Sequence, residues 1–289
     1  MRIYYTDVFL NNLLILGCES FGGEILIITM LVASHKNCRI PEDLSVYTPI
    51  LVGSAFHEGT PVGFIRDDQG DNISDKNPRY NELTALYWGW KNLSSDYVGL
   101  VQYRRYFVSG RIKGTDKFKN ILTRTDLEKL VAGNKIIVPK KRHYYIETIE
   151  SHYLHSHSAD GMKALKVIFS KMPKNYRLAL NHVLSSKSAH MFNMFIMERS
   201  EFSAYSSWLF DVLFKVEKEL NYEQLQGNEK RALGFLSEIM LDVWLTANDK
   251  VYKEVPVSFM EKQHWVKKIS IFLLNKISGG RWRLNTHIK

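Results

Sequence analysis

The residues best suited to chemistry in this 289-residue chain lie in the run Gln102, Tyr103, Arg104, Arg105, Tyr106, Phe107. They follow Tyr97 to Val101, an apolar, partly β-branched run that reads as a central strand. In α/β sheets, ligands collect in the crevice beyond the carboxyl ends of the strands, so adjacent arginines there suggest an anion site. Successive strand residues point to opposite faces, so Arg104 and Arg105 would not share one pocket if the strand stayed regular. The alternative is a surface arginine pair with aromatic stems packed beneath it. A second polar strand end follows Ile25 to Val32, a buried-strand pattern that empties into Ser34, His35 and Lys36.

Other polar groups cluster further along. Pro139, Lys140, Lys141 and Arg142 form a basic cluster after the strand-like Lys135 to Val138. His143, His152, His155 and His157 follow, and their density invites a zinc reading. No Cys or suitably spaced acid completes that set, so a metal site is not the preferred reading. Asp67, Asp68, Asp71 and Asp75 match no EF-hand spacing; they read as a solvated loop and are the fallback if a divalent ion is needed. Arg231, Gly234, Glu238 and Asp242 form one narrow polar stripe on the otherwise apolar helix Arg231 to Ala247. Glu238 either pairs with an arginine such as Arg231 or faces a pocket over Gly234, where a missing side chain admits a ligand.

The elements that must position these groups can be read from periodicity. A helix opening at Pro78 would bury Tyr80, Leu83, Leu86, Tyr87 and Trp90. Thr125 and Glu128 suggest a capping box, Met162 to Leu184 two helices split by Pro173, and Glu201 to Leu220 an amphipathic helix. His190 to Met197 has strand composition with His190 and Asn193 as polar members, and Val251 to Phe259 is an edge strand broken by Pro256. These elements predict an α/β fold, with Ile25 to Val32 and Tyr97 to Val101 central in a mixed, largely parallel sheet flanked by helices, and a helical C-terminal half.

A chain that is 45% hydrophobic and 12% aromatic has material for one large core. Its net charge of +9 favours anionic partners. Two cysteines are too few for a disulfide framework, so a reducing cytoplasm is expected. Phe9 to Ala33 is apolar, but Glu19, Gly22, Gly23 and Glu24 interrupt it, which argues against a bilayer span. Residues 1–23 read as an N-terminal extension, 24–268 as the main domain and 269–289 as a basic amphipathic tail. P-loop, GxGxxG, HExxH, GxSxG and CxxC signatures are absent, which disfavours ordinary NTPases, dehydrogenases, zincins and serine hydrolases. The basic residues are dispersed without a helix-turn-helix or RNP pattern, so nucleic acid is not an expected partner.

The sequence resembles a bacterial family of capsular and exopolysaccharide glycosyltransferases, long known only as a domain of unknown function. The resemblance is carried by ISDKN at 73–77, ELTALYW at 82–88, GLVQYRRYF at 99–107, HMFNMFIM at 190–197 and further stretches between about 26 and 268. It implies a GT-A-like transferase moving a hexose, galactose or galactofuranose in some members, from a nucleoside-diphosphate sugar such as a UDP-sugar to a lipid-linked glycan acceptor. The enzyme would be cytoplasmic and peripheral on the inner face of the plasma membrane. On that reading Ser34, His35, Lys36, Asp75, Lys76, Asn77, Tyr103, Arg104 and Arg105 serve the donor, and His152, His155, His157 and Asn193 serve the acceptor or a phosphate. Glu238 is the expected base, with His190 as the alternative. No Asp-x-Asp occurs, so arginines are expected to replace a divalent ion at the diphosphate. The competing readings are a non-catalytic membrane-associated scaffold of polysaccharide assembly and a nucleic-acid-binding protein.

Overall fold

A computed structural model describes residues 26–110 and 114–261. Its strands are β1 (Ile28–Ser34), β2 (Tyr47–Leu51), β3 (Ile65–Arg66), β4 (Tyr97–Gln102), β5 (Arg105–Phe107), β6 (Ile136–Pro139), β7 (Arg142–His143), β8 (Ser188–Ala189), β9 (Phe195–Glu198), β10 (Lys253–Val255) and β11 (Val257–Phe259). Its helices are α1 (Asn77–Tyr80), α2 (Leu83–Asn92), α3 (Arg124–Val131), α4 (Ile149–Ser156), α5 (Ala159–Ser170), α6 (Lys174–Ser185), α7 (Arg199–Glu219) and α8 (Ala232–Ala247).

Among the described residues, nine strands form one sheet in the order β10-β6-β9-β4-β1-β2-β3, with β5 paired to β4 and β11 to β5. The two long apolar runs are parallel neighbours at its centre, with Ile28 opposite Tyr97 and Ala33 opposite Gln102. The mixed, largely parallel sheet is therefore as the sequence predicts. Antiparallel β9 lies between β4 and β6, so its N-terminal end meets the C-terminal ends of both neighbours, the edge where ligands gather.

Side-chain alternation divides the core between the two faces of the sheet. Leu31, Ala33, Val98 and Leu100 face the layer that includes α2, α7 and α8, whereas Met30, Val32 and Val101 face the layer that includes α3. Full burial of each such aliphatic side chain stabilises by ~1.5–3 kcal/mol. Gly99 admits Met30 against β4, since a Cβ there would lie 2.3 Å from the Met30 sulfur.

Local structure departs from the sequence reading at three points. The helix opening at Pro78 breaks at Asn81, whose φ of 52° and ψ of −127° end α1 before α2 begins. The capping box uses Thr123 and Asp126, two residues earlier than Thr125 and Glu128, because both T-x-x-acid frames satisfy the local pattern and tertiary packing selects one. Of His190 to Met197, only Phe195 onward is strand; Phe192 (φ 85°) and Asn193 (φ 52°) are left-handed and turn the chain into β9. Pro173 does divide α5 from α6, and Pro256 does divide β10 from β11. The N-terminal extension at 1–23 and the tail at 269–289 lie outside the described residues. No described helix is long and apolar enough to cross a membrane.

The loops at the β2 and β3 ends converge on Asp67, a fully buried carboxylate. It accepts from Gly53 N (2.8 Å), Ser54 N (2.8 Å), Ser74 Oγ (2.5 Å) and Thr84 Oγ1 (2.6 Å). A buried anion is tolerable when its oxygens are filled by donors in this way. Asp67→Ala strands all four donors and is expected to cost ~3 kcal/mol or more. Chemical denaturation measures this; a loss within ~0.5 kcal/mol would show that the loops do not depend on this carboxylate.

Candidate functional site

The C-terminal ends of β1 and β4 gather cations. Ser34 closes β1 by donating from Oγ to the Lys36 carbonyl at 2.7 Å. His35 meets Tyr103 edge-on at 5.5 Å, and Lys36 Nζ lies 5.1 Å from the same ring. The His35 pKa is lowered, first by burial and then by the charges of Lys36, Arg104, Arg231 and His57. Ser34, His35, Lys36, Tyr103 and Arg104 are therefore brought together at this edge.

Asp75, Lys76 and Asn77 are not brought into this group. Lys76 Nζ donates to Glu217 of α7 at 2.9 Å, and Arg79 and Tyr80 bind the same carboxylate. Asn77 donates to the Asn81 carbonyl at 2.8 Å and packs against Gly53. Asp75 is exposed on a short 3-10 turn. Lys76 and Asn77 are thus engaged within the fold, at Glu217 and beside Gly53, as a dense polar motif can equally be a folding staple.

The arginines follow a hairpin, not a regular strand. β4 ends at Gln102 and the chain turns through Tyr103 and Arg104, so Arg105 pairs back with Gln102. The alternation argument does not apply across such a turn. Arg104 joins the His35 side, whereas Arg105 reaches towards α8. Arg105 Nη1 donates to Gln102 Oε1 at 2.5 Å, and its guanidinium carbon lies 4.4 Å from the Phe192 ring centre and 5.4 Å from that of Phe259. Gln102 Nε2 in turn donates to Glu82 Oε1 (3.1 Å) and to the Phe192 carbonyl (2.9 Å). Asn193 Nδ2 donates to the same Glu82 oxygen at 2.9 Å and to the Gly234 carbonyl at 3.3 Å. The Nε atoms of Arg104 and Arg105 are buried without a hydrogen-bond partner among the described residues.

Glu238 stands on α8 beside this network, and its side chain keeps limited access to solvent. Its carboxyl is pushed up to about 7, by burial first and by Glu82 second, while Arg105, Arg142 and Arg231 pull the other way. No hydrogen bond to it occurs among the described residues. Of the two alternatives for Glu238, the ligand path over Gly234 is closed: a Cβ there would lie 2.3 Å from Asn81 Nδ2, so the Asn81 side chain already uses the space. Arg231 Nε donates to Asn81 Oδ1 at 2.7 Å and so acts on Glu238 through space. The break at Asn81 thus serves α8 and sets Glu82 at the start of α2.

His190 is fully buried, with both ring nitrogens engaged: Nδ1 on Asp242 and Nε2 on Glu254 at 3.0 Å. It cannot meet an acceptor hydroxyl in this arrangement; it fastens α8 to β10. His152 and His155 both turn Nδ1 to Glu147, at 3.2 and 2.7 Å, and His157 stacks on Phe235 at 3.9 Å. The histidines therefore brace α4, and Glu147, which holds two of them, is 4% exposed. Among the four acids, Asp67 is saturated by donors and Asp68 pairs with Arg66 at 2.6 Å. Asp71 and Asp75 are exposed. No group of three or more His, Cys, Asp or Glu side chains that could hold a metal ion occurs among the described residues.

Sequence reasoning did not single out Glu82 or Glu147, and it read Arg142 and Arg231 only as parts of a basic cluster and a helical stripe. Glu82 carried a signal, a carboxylate opening the ELTALYW helix, but its partners Gln102 and Asn193 are distant in sequence. Glu238 should weaken the fold when ionised, because its native pKa is raised above the unfolded value. That contribution is most favourable below the unfolded carboxylate range and is lost as the pH rises through about 7. Glu238→Gln should therefore be more stable than the parent by ~1–3 kcal/mol above that range, with the gap closing in acid. Denaturation curves at several pH values test this, and a gap that does not change with pH would contradict the raised pKa.

No curated protein matches the chain at a significant level. Among solved structures, the apo structure of the WbbM bifunctional glycosyltransferase is similar, with a TM-score of 0.72 and 27% identity over 81% of this chain. The chain spans 45% of that protein. The similarity agrees with a GT-A-like arrangement of the sheet and helices. The profile described as Domain of unknown function (DUF4422) matches residues 29–249, so the chain belongs to that family, whose resemblance to polysaccharide-building glycosyltransferases the strand-end motifs carry.

Proposed function

We propose that this protein is a glycosyltransferase that moves a hexose from a nucleoside-diphosphate sugar to the hydroxyl of a growing capsular, exo- or O-antigen polysaccharide. The observation that carries the reading is Glu238, with a pKa near 7, facing the charges of Arg105, Arg142 and Arg231 at the ligand edge of the sheet. Similarity to a glycosyltransferase structure supports it. In the reaction the Glu238 carboxylate takes the proton of the acceptor hydroxyl as its oxygen bonds to the anomeric carbon. The bond from that carbon to the diphosphate breaks, and the diphosphate leaves with the electron pair. Lys36, Arg104 and Arg231 supply the positive field for that leaving charge, in the role that a divalent ion plays in other transferases. Galactose or galactofuranose on UDP is the first donor to try, and a lipid-linked acceptor at the inner membrane face, met by the basic tail from Lys267, is the corresponding setting.

A screen of nucleotide sugars by thermal stabilisation, with and without chelator, tests the donor. Sugar-dependent stabilisation that survives chelator is expected; a scaffold would give none, and dependence on magnesium or manganese would return attention to the acidic loop. Arg104→Lys should weaken donor binding ~5–10-fold, because an ammonium cannot reproduce the guanidinium fork. Binding calorimetry reads this directly, and unchanged affinity would remove Arg104 from the site.

Glu238→Gln should bind donor normally while turnover falls by ~10²–10⁴. The base must be ionised, so parent activity should rise with pH through about 7. That limb should vanish in the variant. Near-normal turnover in Glu238→Gln would rule out the base assignment and favour a mechanism that needs no such carboxylate.

A further inference from the structure

We propose that a groove beside Glu238 is an acceptor subsite for a sugar bearing a fixed negative charge, a phosphate or a carboxylate, held by Lys140 and Arg142. This rests on the transferase reading above and adds the chemical class of its second substrate.

The groove has a volume of about 260 Å³ and opens between the end of β6 and the β10-β11 corner. Pro139, Pro256, Phe192 and Phe259 line it with apolar surface, and Lys140 and Arg142 supply charge. Phe192 and Phe259 meet edge-on at 5.6 Å, and the Arg105 guanidinium packs over both, which fixes them as a platform. Flat apolar walls of this kind suit the C–H face of a sugar ring. Arg142 belongs to both places, since it lines the groove and its charge acts on Glu238. Arg142 is thus the residue that links the groove to the surroundings of the candidate base.

The charge of the groove is not needed by the donor. The cations around His35 are Lys36, Arg104 and Arg231, a separate set at the β1 and β4 ends. Exposed lysines and arginines are ordinarily just solvated, and that would account for Lys140 and Arg142 on an open surface. Here no carboxylate among the described residues lines the groove. The apolar walls also strengthen any ion pair formed against them. Two cations over aromatic and proline surface, with no acid among the described residues lining the groove, select a ring that brings its own anion.

The test uses the full chain with UDP present and compares three probes by intrinsic fluorescence or NMR titration: galactose 1-phosphate, methyl glucuronide and methyl galactoside. At least one anionic probe is expected to bind ~10-fold or more tightly than the neutral glycoside, the scale of one charge-assisted hydrogen bond. The stronger of the two anions identifies phosphate or carboxylate as the source. Lys140→Glu should abolish the preference and leave UDP affinity unchanged, which also shows that the variant folds. Equal binding of neutral and anionic probes, no binding of either anion at millimolar concentration, or a preference that survives Lys140→Glu would overturn the proposal. Failure of UDP to bind would instead count against the transferase reading, and the same probe comparison on the nucleotide-free protein would still decide the groove.

Discussion

The site depends on one neutral side chain, the amide of Gln102. Its two N–H groups go to Glu82 and the Phe192 carbonyl, and its oxygen takes Arg105. A carboxylate only accepts and a guanidinium only donates, so the amide has one satisfactory orientation. Through that orientation β4 sets the positions of the start of α2, the turn into β9 and the guanidinium facing α8. Hydrogen bonds to charged groups contribute ~1.5–3 kcal/mol each, enough to hold three segments of different sequence origin in one register. The amide also keeps Glu82 and Arg105 in opposition around Glu238, the balance that sets the proton affinity of that carboxyl.

Conformational strain gathers around the same place. Asn81, Phe192 and Asn193 all have positive φ without being glycine. Each such backbone costs ~1–3 kcal/mol and persists only where surrounding contacts over-determine it. Asn81 is held by Arg231 and by the space at Gly234, and Asn193 by Glu82 and the Gly234 carbonyl. The raised carboxyl of Glu238 is a further cost borne at this edge. The apolar sheet faces and the long helices behind them offset these terms, so that stability and site chemistry occupy different parts of the molecule.

Much of this was legible in the residues. Ile28 to Ser34 and Tyr97 to Gln102 are strands because their apolar runs are continuous, and Arg104, Arg105, His35 and Lys36 follow directly at their C-terminal ends. The amphipathic face of α7 and the nearly all-round apolar surface of α8 were equally clear. Groups whose meaning is a partner far along the chain were not legible. Lys76 looked like a phosphate ligand until Glu217, 141 residues away, took it. His190 looked catalytic until Asp242 and Glu254 closed on it. Asp67 looked like one of several loop acids, yet burial makes it the fastening of the whole β2–β3 edge. Spacing reveals which face a residue shares with its sequence neighbours; it carries no record of what packs against that face.

The reversed direction of β9 has a consequence for how such proteins diversify. Because β6 runs out to the ligand edge and β9 starts back from it, the chain between them leaves and rejoins the sheet at the same end. That excursion, residues 140–194, carries Arg142, the histidine-bearing α4 and Phe192, while the strand pairings on either side close without it. It is in effect a cassette, exchangeable in principle without resetting the register of any sheet strand. The excursion is anchored at several points: α5 packs on α7 and α8, α6 packs on α8, and His190 is held by Asp242 and Glu254, so a transplanted excursion would have to bring matching faces for those elements. Chimeras cut after Pro139 and before Phe192 would recombine recognition while leaving the nine-stranded sheet of the host whole and keeping Phe192 and Asn193, which complete the Gln102 junction.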